Sequence, residues 1–248
     1  MVNLDKNKLA EIGVQFGNLT RRWNPKMSSY IFKKSSKIHI LDLHKVISGC
    51  QKVGDYIKSL IEKKKLVLFL AAKKKAQEIV KEQAVRCGMP YIINKWKGGF
   101  LTNFREIGKK FNELRGLNSF IQKDSFKNLA KKEQAAHVKR QTQLQSIYEG
   151  VVSLTRTPEA LFIIGLDKAK TASKEAKKVG IPVIAICNSN CNPQMADYVI
   201  PGSDENIKSI TFFAGLVADS IIEARSKPLG ESGSVEQEEK RKEVNMIK

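Results

Sequence analysis

Three short, nearly unbroken apolar runs restrict what this chain can fold into more than any other feature of its sequence. They are "LVLFLAA" at 66–72, "ALFIIGL" at 160–166 and "IPVIAIC" at 181–187. A strand that is apolar along its whole length must be buried on both faces, which is typical of parallel sheets covered by helices. The sequence therefore predicts an α/β fold with a parallel sheet and helices on both faces.

Further patterns extend this alternation along the chain. Shorter strands are predicted at 37–43, 90–93 and 197–202, and helices at 45–62, 73–87, 168–179 and 204–226. Asp204 and Glu205 would lie in the first turn of the last helix, where the helix dipole favours acidic side chains. The tail 227–248 has no apolar periodicity, and we expect it to be mobile.

Residues 102–154 interrupt the alternation. Their apolar positions form two series with three- and four-residue steps: Phe104, Ile107, Phe111, Leu114 and Leu117, then Leu144, Ile147, Val151 and Leu154. Two narrow apolar seams separated by the polar stretch 118–132 predict an antiparallel helical hairpin that projects from the α/β body. The predicted organisation is an α/β domain formed by 1–101 and 155–226, with the hairpin inserted between them.

The charge of the chain indicates a polyanionic partner. Lys and Arg number 44 against 25 Asp and Glu, which gives a net charge of +19. Such a surplus repels itself in the compact state, so nucleic acid is the first candidate partner and an anionic membrane surface the second. No stretch approaches the roughly 18 apolar residues of a membrane span, and no exposed apolar helix face is predicted for a peripheral adaptor. Four cysteines in so long a chain do not suggest a disulfide framework, which favours a reducing compartment.

The motifs of common α/β enzymes are missing from the sequence. There is no G-x-G-x-x-G after a strand, no G-x-x-x-x-G-K-[ST] and no G-x-S-x-G. His39 and His44 fit structural roles in and beside a strand, and His137 lies on the basic hairpin. Cys187 and Cys191 could begin a zinc site, but a second ligand pair at suitable spacing is absent. The sequence therefore predicts no catalytic site, no metal and no cofactor.

The segment 21–45 is the first of two candidate RNA-binding patches. Basic residues alternate there with aromatic ones, a combination that suits phosphates together with exposed bases or sugars. Pro25 disfavours a helical Asn24 and lacks an amide donor, so "RRWNPKM" (21–27) predicts an extended loop that presents its arginines. Trp23 would either pack on the sheet domain or stack on a nucleotide. The candidate contacts are Arg21, Arg22, Trp23, Asn24, Lys26, Lys33 and Lys34.

The second candidate patch is "NKWKGGFLTNFR" at 94–105. Its two glycines allow the backbone to pass close to another surface, and its polar side chains suit RNA. The alternative is a strand-to-helix loop in which Trp96 packs inward. The candidate contacts here are Lys95, Lys97, Asn103 and Arg105, and those of the hairpin are Lys109, Lys110, Lys131, Lys132, Lys139 and Arg140. We interpret the lysine runs 63–65 and 73–75 as solvated surface.

Five stretches together carry a family resemblance. They are "GVQFGNLTRRWNPKMSSYIF" (13–32), "KIHILDLHK" (37–45), "NKWKGGFLTNF" (94–104), "GIPVIAICNSNCNP" (180–193) and "DYVIPGSDENI" (197–207). In this order they resemble the small-subunit ribosomal protein 2 family of bacteria and organelles, and the resemblance extends over about 5–226. The joint occurrence of W-N-P-K-M, G-G-x-L-T-N and D-Y-x-I-P-G is far more specific than any one of them.

The resemblance implies a flavodoxin-like α/β domain with a protruding coiled-coil hairpin. It also implies a non-enzymatic role in translation, in which the protein binds small-subunit rRNA and neighbouring small-subunit proteins and helps to dock the mRNA-binding ribosomal protein 1. No membrane partner and no small-molecule substrate are expected, and the location would be a ribosome in the bacterial cytoplasm or in an organelle. An α/β enzyme that acts on RNA or nucleotides is the alternative function.

Some positions depart from the usual pattern of this family. Gln15 and Asn18 stand where His is common, Asn188 and Asn192 where Asp is frequent, and Ser203 where Asn is frequent. The loss of imidazoles and carboxylates weakens the case for a metal at these positions. RNA binding through Arg, Lys and backbone groups is unaffected.

Overall fold

The computed structural model describes residues 5–226, so the predicted mobile tail 227–248 lies outside the described residues. The helices are α1 (Lys6–Ile12), α2 (Leu43–Glu62), α3 (Gln77–Arg86), α4 (Phe104–Ile121), α5 (Asp124–Lys127), α6 (Lys131–Tyr148), α7 (Lys170–Val179) and α8 (Ile207–Ser226). The strands are β1 (Phe16–Leu19), β2 (Ile31–Ser35), β3 (Ile38–Leu41), β4 (Val67–Ala71), β5 (Tyr91–Ile92), β6 (Ala160–Ile164), β7 (Val183–Cys187) and β8 (Tyr198–Pro201). Short 3-10 helices lie at Thr20–Arg22, Pro25–Tyr30, Lys74–Ala76, Glu149–Val151 and Pro193–Met195.

Five strands form the predicted parallel sheet, in the order β5-β4-β6-β7-β8. Numbered along the chain, these strands have the order 2-1-3-4-5, which is the flavodoxin-like arrangement. Every residue of β4, β6 and β7 is buried. Successive side chains of a strand point to opposite faces, so Val67, Phe69 and Ala71 enter one hydrophobic core while Leu68 and Leu70 enter the other. The α/β fold with helices on both faces is therefore confirmed.

Each face of the sheet is covered by its own helices. Residues of α2, α3 and α8 form the first core with one set of strand side chains. Residues of α4, α6 and α7 form the second core with the other set. None of the helices within 5–226 combines the length and apolarity that a bilayer crossing requires.

A second, antiparallel sheet in the order β1-β3-β2 was not predicted. The strand predicted at 37–43 is present as β3, but it pairs with β1 and β2 and does not join the parallel sheet. Backbone hydrogen bonds hold this N-terminal region on loops that follow parallel strands. The Asn24 amide donates to the Ser189 carbonyl at 2.8 Å, just beyond β7, and the Ser203 amide donates to the Val14 carbonyl at 2.9 Å, just beyond β8.

The two helices predicted within 102–154 are present as α4 and α6, with the short helix α5 in the link between them. They run antiparallel, because Phe111 packs on Tyr148 with ring centroids 5.6 Å apart while Phe120 packs on His137 at 5.4 Å. Phe111 and Tyr148 belong to the second core, so the base of the hairpin is packed on the sheet. At the tip, Phe120, His137 and Phe126 pack on one another. The division of the chain into a domain and an inserted hairpin stays a prediction.

Candidate nucleic-acid interface

The segment 21–27 differs from the extended loop that its sequence predicted. Trp23 and Asn24 are extended, as expected before a proline, but 3-10 helices lie on both sides of them. Pro25 occupies the start of the second one, where its missing amide costs nothing. The Asn24 side chain caps that helix by accepting a hydrogen bond from the Lys26 amide at 3.0 Å, and Met27 is fully buried. These anchors give the segment a fixed shape that the proline alone does not predict.

The cations of this first patch face solvent. Arg21, Arg22, Lys33 and Lys34 are exposed, and within residues 5–226 the structure gives none of them an acidic partner. The Lys26 ammonium, also exposed, donates to Gln194 Oε1 at 2.5 Å. The patch therefore presents positive charge that the described part of the chain does not neutralise.

Trp23 combines the two roles that its sequence position allowed. Its indole lies against the ring of buried His39, with centroids 5.2 Å apart, yet 39% of the residue remains exposed. Part of the ring is thus available for stacking while the rest is held by the protein. His39 is buried within β3, and His44 lies at the surface, where the Lys6 ammonium contacts it at 2.8 Å.

The second patch is organised by a residue that sequence reasoning missed. Glu175 of α7 is buried and accepts hydrogen bonds from the Trp96 indole at 3.1 Å, the Gly99 amide at 2.9 Å and the Leu101 amide at 3.1 Å. Trp96 also packs on Phe100, so it points inward, which was one of the two alternatives. The sequence signal that could have identified Glu175 is its position. It is the single acidic residue of the lysine-rich helix α7, and it lies among alanines on the apolar side of that helix.

The glycines and cations of this loop lie where a partner could reach them. A Cβ atom on Gly98 would meet nothing within 4 Å, whereas Gly99 has a φ of +86°, which favours glycine. The backbone of the described chain therefore favours glycine at position 99, whereas a side chain at position 98 would meet no neighbouring atom. The exposed candidates in this region are Lys95, Lys97, Asn103 and Arg105.

The hairpin cations fall into two groups. Three are paired with acids of the same hairpin: Lys109 with Glu106 at 2.7 Å, and Lys110 and Arg140 with Glu113 at 3.1 and 2.7 Å. Hydrogen bonds from Arg140 and then Lys110 lower the pKa of Glu113. The other three, on α6, are exposed and have no acidic partner among the described residues: Lys131, Lys132 and Lys139. Pairs this exposed contribute little to stability, so all six remain able to contact phosphates.

An ion cluster around buried Lys73 and Asp204 occupies the place where folds of this type usually bind small ligands. That place lies beyond the carboxyl ends of the two strands at which the strand order reverses, here β4 and β6. Lys73 follows β4, and its ammonium lies 2.8 Å from Asp204, 2.6 Å from Glu205 and 3.8 Å from Asp167. A Cβ on Gly165 would come within 2.8 Å of the Lys73 side chain, so Lys73 packs directly on Gly165.

Two sequence predictions about this cluster were wrong. Lys73 is only 5% exposed and does not belong to a solvated lysine run. Asp204 and Glu205 precede α8, which begins at Ile207, and both contact Lys73. Asp204 also accepts a hydrogen bond from the Asn188 side-chain amide at 2.9 Å.

The electrostatics of the cluster favour a charged lysine. Burial alone would lower the pKa of Lys73, but the attraction of Asp204, Glu205 and Asp167 raises it above its ordinary value. Ligand atoms of Asp167, Cys191 and Asp204 lie within 4.8 Å of one another, which is a spacing a metal ion could use. The Lys73 ammonium already supplies the positive charge there. A hydrogen bond with Cys191 and burial raise the pKa of Cys187.

Comparison with known proteins identifies the family to which this chain is similar. Residues 9–224 match the family described as Ribosomal protein S2. The small ribosomal subunit protein uS2 of Koribacter versatilis (strain Ellin345) is 40% identical over 223 residues, which cover 90% of this chain and 74% of the relative. The uS2 protein of Petrotoga mobilis (strain DSM 10674 / SJ95) is 41% identical over 88% of this chain and 76% of the relative. That of Endomicrobium trichonymphae is 37% identical over 91% of this chain and 93% of the relative. The chain belongs to the ribosomal protein S2 family, whose members are structural proteins, and it is not an enzyme acting on RNA or nucleotides.

Proposed function

We propose that this protein is a structural component of a bacterial-type small ribosomal subunit and that it binds small-subunit rRNA. Its relatives are proteins of that subunit, which supports the first part. One observation carries the second part. Arg21 and Arg22 are exposed without an acidic partner in the described chain, beside a tryptophan that is only partly covered.

The arrangement of this patch suits phosphate contacts that position the protein without reading sequence. The segment that carries the arginines is fixed by the Asn24 cap, the buried Met27 and the hydrogen bond to Ser189. A fixed segment loses little conformational entropy on binding. Guanidinium groups can then form paired hydrogen bonds to phosphate oxygens. We assign the loop 94–105 and the unpaired hairpin lysines to the same interface.

Two finer parts of the proposal concern partners and location. Docking of ribosomal protein 1 is suggested by the family resemblance, and co-sedimentation of the two proteins on assembled small subunits tests it. The ribosome would be that of a bacterial cytoplasm or of an organelle. Sedimentation of the endogenous protein with the small subunit tests the structural role itself.

The double variant Arg21→Ala/Arg22→Ala tests the RNA contact. Binding to small-subunit rRNA is measured over a range of KCl concentrations, and the slope of log K against log[KCl] should become shallower by about one to two phosphate equivalents. The thermal midpoint should stay nearly unchanged because both side chains are exposed. Lys8→Ala/Lys63→Ala removes the same charge from exposed positions elsewhere and serves as the control. An unchanged affinity and slope in the arginine variant would contradict the proposal.

A further inference from the structure

We propose that the outer face of α7 is an additional RNA-backbone contact that joins the two patches into one surface; this inference rests on the proposed function. The residues that form the face are exposed and basic: Lys170, Lys174, Lys177 and Lys178. Their spacing of three, four and seven residues places them along one side of the helix. The opposite side, formed by Ala172, Ser173, Glu175 and Ala176, is buried.

The helix lies between the two patches. At one end, the Lys177 ammonium donates to the Gln194 carbonyl at 2.5 Å, while Lys26 of the first patch donates to the side chain of the same Gln194 at 2.5 Å. On its inner side, Glu175 holds the loop that carries Lys97. The helix that carries the lysine face is therefore in contact with the first patch through Gln194 and with loop 94–105 through Glu175.

The lysine face has no internal counter-charge on its own helix. Its only acid, Glu175, is buried and is used by loop 96–101. Solvated helix faces commonly place an acid four residues before a lysine, whereas here Lys170 precedes Lys174 and Lys174 precedes Lys178. Like charges at this spacing destabilise a helix, and a bound polyanion removes that repulsion.

The dimensions of the face fit a phosphate backbone. Lys170 to Lys177 spans roughly 10 Å along the helix axis, at a rise of about 1.5 Å per residue. Flexible ammonium groups on such a row can follow successive phosphates of one strand without requiring a particular base. Because the helix that carries this row contacts both patches, we assign the row to an RNA backbone and not to an acidic protein.

The triple variant Lys170→Gln/Lys174→Gln/Lys178→Gln tests this assignment in the full-length chain. Lys177 is kept because it contacts Gln194. Each neutralised phosphate on a duplex contributes about −0.9 to the slope of log K against log[salt]. The slope for binding to small-subunit rRNA should therefore become shallower by about two to three, and the affinity near physiological salt should fall at least tenfold. The control Lys8→Gln/Lys52→Gln/Lys63→Gln removes the same charge from exposed residues of α1, of α2 and of the position after it, and should change the slope by less than one.

Two further measurements separate the outcomes. The variant Lys170→Arg/Lys174→Arg/Lys178→Arg keeps the charge and should keep the slope, so a loss in both triple variants would indicate damage to the fold and overturn the inference. If the control lowers the slope as much as the Gln variant, only total charge matters and the inference is again wrong. If the wild-type chain itself shows no salt-dependent binding, the proposed function fails. A third result would overturn only the α7 assignment: the wild-type chain binds and Arg21→Ala/Arg22→Ala lowers the salt slope, but the triple Gln variant does not.

Discussion

Replacing Glu175 should release the loop of the second candidate patch from the body of the protein. Its carboxylate accepts three hydrogen bonds from loop 96–101: Oε1 accepts from the Trp96 indole and the Gly99 amide, and Oε2 accepts from the Leu101 amide. Leu101 is buried, so its amide loses its hydrogen-bond partner inside the protein when the carboxylate is removed. The loop therefore depends on one side chain for three of its hydrogen bonds.

The size of the effect follows from these bonds. Hydrogen bonds to a charged group contribute about 1.5–3 kcal/mol each, but three bonds to one carboxylate are not additive and Trp96 is half-buried. Glu175→Ala should therefore lower the free energy of unfolding by about 3–5 kcal/mol. Glu175→Gln can keep both bonds to Oε1, but it turns its amide group toward the Leu101 N–H, so it should cost about 1–3 kcal/mol.

Urea denaturation followed by tryptophan fluorescence measures both variants. With a slope of about 2 kcal/mol per molar urea, the midpoint of Glu175→Ala should fall by roughly 1.5–2.5 M and that of Glu175→Gln by roughly 0.5–1.5 M. Lys174→Gln changes the adjacent exposed residue and should leave the midpoint unchanged. A midpoint shift below about 0.3 M for Glu175→Ala would refute the reasoning, because it would mean that the loop is held by other contacts.

Four further predictions concern two glycines within 102–154, the Cys50 thiol and the ion cluster. Gly116→Ala should raise the free energy of unfolding by about 0.5–1 kcal/mol, since Gly116 is inside α4 and a Cβ would meet nothing within 4 Å. Gly150→Ala should lower it in the same urea assay, since the Cβ would overlap the carbonyl and ring of Tyr91. Burial raises the pKa of Cys50 from 9.0 to about 12, so at pH 8 its thiolate fraction is about 1000-fold lower and a disulfide reagent should label it only after unfolding. Lys73→Met should cost about 3–5 kcal/mol at pH 7 because Asp204 is left unpaired. The pKa of Lys73 is raised in the folded state, so its contribution to the free energy of unfolding is complete below pH 10.5 and is lost as the pH rises above that value. The difference in stability between wild type and Lys73→Met should therefore narrow above pH 10.5. A constant difference would be evidence against the ion pair.

The parallel sheet could be predicted because its strands have only one possible environment. The run 66–72 became β4, Val67–Ala71, since a strand that is apolar at every position is stable only between two layers of helices. The antiparallel sheet could not be predicted in the same way. Strand β2 carries exposed Lys33 and Lys34, and its pairing with β3 contains an irregularity between Ile31 and Lys33, so neither composition nor alternation marks it.

The candidate site was predictable where a residue faces solvent and not where it makes a distant contact. The exposure of Arg21 and Arg22 followed from their local sequence, which offers no acid to pair with them. Glu175 and Trp96 are 79 residues apart, so their hydrogen bond depends on the topology of the sheet. Similarly, a run of three lysines does not show that Lys73 is the one that turns inward, because that depends on where β4 ends relative to Asp204.

The packing of the hairpin base in the second core has a consequence for the affinity of the proposed RNA-binding surface. Residues of α4, α6 and α7 share that core with the sheet, so no flexible linker separates the hairpin lysines from those of α7. Once one contact has formed, the others meet the same RNA at a high effective concentration, and no linker entropy is lost. An RNA must nevertheless present its phosphates at the separations that the core imposes. If the proposed surface binds RNA, its affinity should therefore depend on the three-dimensional shape of the RNA.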